Sequence, residues 1–420
     1  MDTPSEKLVD KLCQHSFLSL WSYFKPQKPI GKGGNEHCDM LVVCDPHIII
    51  FEIRECDVKS SGDIKVDWER WRRKTIEKLV IQIYRAEQWL VDRSIPGAKK
   101  EAKHVAKKDG AAGLPFPDLS RRQIHRIAVA FGSKRKIPFQ MGDFGKGFVH
   151  IFDELSLDRI MGELDTITDF VRYLKDKENF LNSGKKITIT GGEEDLLALY
   201  LHSGRQFPLA YDHIEVGNDL WDGFTAGKEY KNKQAANANS YIWDDLINTF
   251  HNDLATRGLE FGNSLEQVDA ITRIMAREDR FSRRILGKDF YEFIELTSRD
   301  KMPVRSRMTA SPSGVLYVFL ACKRGTERKY RIEELRGRCF VARGLNLKCK
   351  TVIGLATERY EEKEGFSLDA FCLEKPDWTE EDQKKLEYLQ NELGFFKAPV
   401  QSTGSEDEYS LVSRVVEGKG

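Results

Sequence analysis

Residues 35–59 read NEHCDMLVVCDPHIIIFEIRECDVK: two apolar runs, CDMLVVC and HIIIFEIR, separated by Asp45-Pro46 and carrying charges where burial should be deepest. On a strand, side chains alternate faces, so Ile48, Ile50, Glu52 and Arg54 share one side while Ile49, Phe51 and Ile53 share the other. Both sides are mainly apolar, and the same holds for the first run, where Asp39 goes with Leu41 and Val43. The hairpin is therefore expected inside an α/β sheet, covered by helices on both faces. Burying an unpaired charge there costs several kcal/mol, so Asp39, Glu52 and Arg54 need a partner or a purpose. Asp45 and Pro46 suit the first two places of a type I turn over Asp45–Ile48, a register that sets Asp39 opposite Arg54. Glu52 then lies one diagonal away, about 7 to 8 Å at Cα. A register slipped by two residues also keeps the three on one face; a one-residue bulge separates them.

Outward from the hairpin, Thr3-Pro4-Ser5-Glu6 has the form of a capping box with Pro at the first helical position, predicting a helix to Ser19 or beyond. KPQKPIGKGGN follows as a loop. Residues 67–92 place Leu79, Ile83, Ala86 and Leu90 at helical spacing and predict one long amphipathic helix. The basic, low-complexity stretch within 96–120 is expected to be a solvated loop, a mobile arm or a short exposed helix. Strands are predicted at HRIAVAFG and GFVHIFD, one helix at SLDRIMGELDTITDFVRYLKDKENFL, and another opening at GGEEDLLALYL. The expected class is α/β. A mixed sheet flanked by helices spans 1–185, a mainly helical middle 186–300, a small C-terminal α/β module 301–398, and a polar, frayed tail 399–420.

Lys plus Arg equals Asp plus Glu at 66 each over 420 residues, so the chain offers no bulk basic field and any nucleic-acid affinity must come from local patches. Eight cysteines without a CxxC pair argue against a zinc site or a disulfide framework and fit a reducing cytosol. The N-terminus MDTPSEKLVDKL lacks the form of a secretory signal, and no run approaches the roughly 18 apolar residues of a membrane span. A cytoplasmic protein without a membrane partner is expected; a homo-oligomer is an open alternative to a monomer.

Two carboxylates and a cation at the end of a buried hairpin suit a hard divalent ion, Mg2+ or Mn2+, which takes a few oxygen ligands, keeps waters and binds phosphate. Such an ion polarises a phosphodiester and lowers the pKa of bound water. The order helix, loop, strand beginning at Asp39, turn, strand ending Glu52-Ile53-Arg54, long helix and further strand resembles the PD-(D/E)XK, or restriction-endonuclease-like, phosphodiesterases. The resemblance implies that Asp39 and Glu52 bind the metal and that Arg54 stands where the family has a lysine assisting the attacking water. Arg cannot act as a base, although its fork can hold a phosphate. The resemblance further implies a glutamine on the following helix, for which Gln82 is the candidate, with Lys78 four residues before it as a displaced lysine. It also admits Glu6 as a helix acid reaching the site, beside its capping role. Glu36, three residues before Asp39, is an accessory acid or an ordinary loop residue. HCDMLVVCDPHIIIF, ELDTITDFVRYL and EEDLLALYL are also similar to a group of bacterial proteins, a likeness that brings no activity with it.

Arg70, Arg72, Arg73 and Lys74, interleaved with Trp68 and Trp71, have the composition of a phosphate-contacting patch, although tryptophans at that spacing commonly serve as core. GKGG at 31–34 and GDFGKG at 142–147 lack the phosphate-loop spacing. Two functions stay open: a metal-dependent nuclease acting on DNA, with defence against foreign DNA as its implied role, or an inactive nuclease-like module that binds nucleic acid or a protein.

Overall fold

The computed structural model describes residues 2–28, 36–91, 104–109, 112–133, 141–257, 265–299, 304–359, 367–397 and 408. The chain is mixed α/β and divides into two compact units, Met1–Gly227 and Lys228–Gly420.

The first unit opens with α1 (Pro4–Trp21). The Thr3 hydroxyl accepts from the Glu6 amide and the Glu6 carboxylate accepts from the Thr3 amide, closing the capping box. β1 (Ser22–Phe24), β2 (Met40–Cys44) and β3 (His47–Glu55) follow as successive antiparallel strands. Their register corrects the expected turn. Cys44 already pairs with His47, so Asp45 and Pro46 alone connect the strands and no type I turn spans Asp45–Ile48. Continued past Met40↔Phe51, this pairing sets Asp39 opposite Glu52 and moves Arg54 to the diagonal.

The predicted long helix is two: α2 (Ile64–Lys74), capped by Asp63, and α3 (Ile76–Val91), separated at Thr75. Apolar spacing runs through the break, because Trp71, Ile76, Leu79, Val80 and Ile83 all enter one core with Ala128, Ala130, Val149 and Ile151. Each fully buried aliphatic side chain there contributes about 1.5 to 3 kcal/mol. The Trp71 indole is fixed by a 2.7 Å hydrogen bond to the Cys56 carbonyl, and Trp68 stacks on it, so both tryptophans are structural. In the basic insertion, β4 (His104–Ala106) and β5 (Ala112–Pro115) pair as a small antiparallel sheet, contrary to the expected loop or helix; Val105 and Leu114 are buried. Residues 96–103 of that stretch lie outside the described residues.

β6 (Gln123–Phe131), β7 (Gly142–Asp143) and β8 (Phe148–Phe152) complete a six-stranded sheet, β1-β2-β3-β6-β8-β7, in which β3, β6 and β8 are parallel. Glu52 and Arg54 pair with Ala128 and Ala130, so they lie on the face covered by α2 and α3. The stretch predicted as one further helix is also two, α4 (Glu154–Glu163) and α5 (Ile167–Leu181). Thr166 caps the second through the Asp169 amide. These cover the opposite face with α1, as shown by Phe17 against Phe170 and by Ser16 donating to the Met161 carbonyl. β9 (Lys186–Ile189), α6 (Glu193–His202), β10 (His213–Val216) and α7 (Leu220–Ala226) end the unit, β9 and β10 pairing in parallel.

In the second unit α8 (Lys228–Asn237), α9 (Tyr241–Arg257), α10 (Leu265–Ala276) and α11 (Arg280–Arg299) precede a four-stranded sheet. Its strands are β11 (Val304–Ala310), β12 (Leu316–Cys322), β13 (Thr351–Glu358) and β14 (Leu368–Glu374), in that order. α12 (Arg328–Leu345) crosses between the parallel pair β12 and β13, and α13 (Glu380–Asn391) packs on it. Apart from Glu408, the expected tail lies outside the described residues.

Candidate functional site

The start of β2 and the end of β3 bring three acids together. Asp39 is half-buried and accepts a 2.7 Å hydrogen bond from the Ile53 amide; Glu52, 5% exposed, lies on the neighbouring strand and hydrogen-bonds to Asp39 through a shared proton. Burial, followed by the adjacent Asp39 carboxylate and then Glu36, pushes the Glu52 pKa up to about 9. Burial likewise raises Asp39, opposed by the Ile53 amide. Glu36 has much of its surface in solvent, but partial burial of its carboxyl and a hydrogen bond to Asp39 raise it to about 7. Three carboxyls crowded like this oppose one another's ionisation, and Glu52, at about 9, keeps its proton at neutral pH.

Arg54 does not supply that cation. It is half-buried on the same face, two residues beyond Glu52, yet it makes no ion pair or hydrogen bond with a described residue. The expected register, with Arg54 opposite Asp39, is thus corrected: the two-residue connection places Glu52, not Arg54, against Asp39.

Lys25 is the residue that sequence reasoning missed. Its ammonium lies 2.9 Å from Glu6 and 3.3 Å from Asp2, and its field reaches Glu36. Its amide donates to the Asp39 carbonyl at 2.9 Å. Glu6 therefore caps α1 and also stands at the margin of the acid cluster, where it raises both Glu36 and Asp39. His37, between Glu36 and Asp39, is buried with both ring nitrogens unpartnered, and burial lowers its pKa to about 4. The only sequence signal for Lys25 was its place at the mouth of a Pro- and Gly-rich loop.

Lys78 and Gln82 are exposed on α3 and make no hydrogen bond or ion pair with Asp39 or Glu52. Among the proposed phosphate contacts, Arg72 is held by Glu69 at 3.1 Å and Glu77 at 2.9 Å, whereas Arg70, Arg73 and Lys74 are exposed. Arg73 approaches Glu69 only at 3.9 Å.

Among the described residues no group of three or more His, Cys, Asp or Glu side chains is arranged to hold a metal ion. Two facing carboxylates nonetheless match the demand of Mg2+, which is held by one or two protein carboxylates and completes its shell with water and phosphate. No described helix is long and apolar enough to cross a membrane. Comparison with protein-family models, curated proteins and solved structures gives no match to this chain.

Proposed function

We propose that the first unit is a metal-dependent nuclease that hydrolyses DNA phosphodiesters, with Asp39 and Glu52 holding Mg2+ or Mn2+. The observation that carries this reading is the pair itself: the buried Glu52 and the half-buried Asp39 face and hydrogen-bond each other across a hairpin with no cation against either among the described residues. Asp39 and Glu52, ionised, would hold the ion, which would supply Lewis-acid polarisation of the scissile phosphate. Arg54, uncommitted to any described acid, is available to hold phosphate, and Arg70, Arg73 and Lys74 are exposed for backbone contacts. The order α1, β1, β2, β3, α2–α3, β6, with β3 and β6 parallel, supports the reading because it agrees with the order implied by the restriction-endonuclease-like resemblance. A role in defence against foreign DNA belongs to the same proposal.

The purified protein should degrade DNA in Mg2+ or Mn2+ and stop in chelator, and Asp39→Ala should abolish cleavage with the fold intact. Full activity of that variant, or in chelator, removes the metal-nuclease reading. Arg54 in the place of a lysine favours the second reading, an inactive nuclease-like module that binds nucleic acid or a protein. DNA binding without cleavage in any metal would support it.

A further inference from the structure

A cleft of about 490 Å³ opens in the first unit where the C-terminal ends of β6, β8, β9 and β10 converge on the N-terminus of α6. Crevices outside the carboxyl ends of parallel strands are the usual ligand positions of α/β folds, and this volume suits a small molecule. One wall is apolar, formed by Trp71, Ile76, Ala130, Ile151 and Phe152. The other is acidic: Asp153, Glu193, Glu194, Asp195 and Asp219 line it, and among the described residues no Lys or Arg does.

Most of these acids are committed. Asp153 caps α4 through the Ser156 amide; Asp195 accepts from the Gly192 and Trp221 amides; Glu194 is held by Arg159 at 3.0 Å. Three groups are not fully used. Glu193, 2% exposed, receives Lys177 and Tyr173 on Oε1, but its Oε2 is buried with no partner. Ser133, 5% exposed, makes no hydrogen bond with a described residue, and neither does the carboxylate of Asp219. A helix N-terminus ordinarily attracts anions, with about half a positive charge. Here the three carboxylates in the first turn of α6 exceed the two cations behind them, Lys177 on Glu193 and Arg159 on Glu194, by one negative charge, which outweighs it.

We propose that this cleft binds a small amphipathic amine, an aliphatic chain ending in ammonium. The methylenes lie on the Trp71–Phe152 wall, and the ammonium donates toward Glu193 Oε2 and Asp219 with Ser133 accepting. A neutral or anionic chain of equal length leaves those acceptors unmet.

The test is calorimetric titration of the full-length protein with 1,5-diaminopentane, with 1,5-pentanediol and glutarate as controls, in the absence of nucleic acid. One-to-one binding of the diamine at least about tenfold tighter than of the diol, with none of glutarate, is expected. Glu193→Gln and Asp219→Asn should each weaken the diamine by about tenfold. Should Glu193→Gln fail to fold because Lys177 loses its partner, the exposed Asp219→Asn and the small change Ser133→Ala decide. No heat at millimolar diamine, comparable binding of glutarate, or unaltered affinity in the folded variants overturns the proposal. The acid pair at Asp39 and Glu52 takes no part in this experiment, so the two proposals fail separately.

Discussion

Glu52 and Glu278 are both buried glutamates, 5% and 1% exposed, but they are treated differently by their surroundings. Glu278 in the second unit receives three hydroxyl donors, from Ser311 at 2.5 Å, Ser313 at 2.8 Å and Tyr317 at 3.0 Å. In the same unit, Asp244 is held by both Arg280 and Arg283, and Asp369 by Arg331 at 2.5 Å. Among the described residues Glu52 has only carboxyl neighbours, Asp39 and Glu36; on the same face Arg126 is held by Glu87 and Arg54 is uncommitted. Burial raises the pKa of both glutamates, but only in the second unit do donors to the ionised form oppose it. Buried charges that serve architecture are satisfied within the fold. The hairpin pair is left incomplete, as expected of a site completed by something from outside.

The sharpest break in this comparison comes from removing a satisfied acid. Asp244→Ala takes from the buried Arg280 and Arg283 the carboxylate they share and should cost about 3 to 5 kcal/mol in urea unfolding. A loss below about 1 kcal/mol would mean that the second unit tolerates unpaired charge as well as the hairpin does.

Arg54 is the next test. Arg54→Ala should lower the cleavage rate by about 2 to 4 kcal/mol of transition-state stabilisation, while Arg54→Lys retains or raises it. Because Arg54 has no described partner, the melting temperature of both variants should stay close to wild type. A large melting loss would show a structural pairing instead.

The third prediction concerns pH. Glu52 has its folded pKa raised to about 9 from an ordinary 4.5, so the folded state binds more protons than the unfolded state between those values. Its contribution to stability is fully present below about pH 4.5 and is lost as pH rises toward 9, with a slope of at most about 1.4 kcal/mol per pH unit. Without divalent ions, Glu52→Gln should flatten that slope and melt higher than wild type at pH 8. A variant that melts lower at pH 8 would place Glu52 with Glu278, as a satisfied structural acid. The smallest effect is expected at Gln82→Ala, which should change stability by less than about 0.5 kcal/mol and leave cleavage unaltered, since the side chain is exposed and away from the acids' hydrogen bonds.

Features fixed by local chemistry were legible in the sequence. The Thr3–Glu6 box, the two apolar strands around Asp45-Pro46 and the helix opening at Glu193 each rest on contacts within a few residues. The hairpin register was not, because Asp-Pro is compatible with more than one turn and parity alone kept Asp39, Glu52 and Arg54 on one face. The break at Thr75 was hidden because the apolar spacing continues on both sides of it. Thr166-x-x-Asp169 was a readable cap, masked by the continuous amphipathic pattern around it. Lys25 and the cleft between residues 71 and 219 depend on contacts between distant segments, which periodicity does not encode.

Most direct for the central claim, that Asp39 and Glu52 form a divalent-cation site, is a thermal melt at pH 8 over a titration of Mg2+, wild type against Asp39→Asn. Mass action predicts that the wild-type melting temperature climbs with Mg2+ as the ion replaces the shared proton, while Asp39→Asn does not respond. No rise in the wild type, or an equal rise in both proteins, would contradict it.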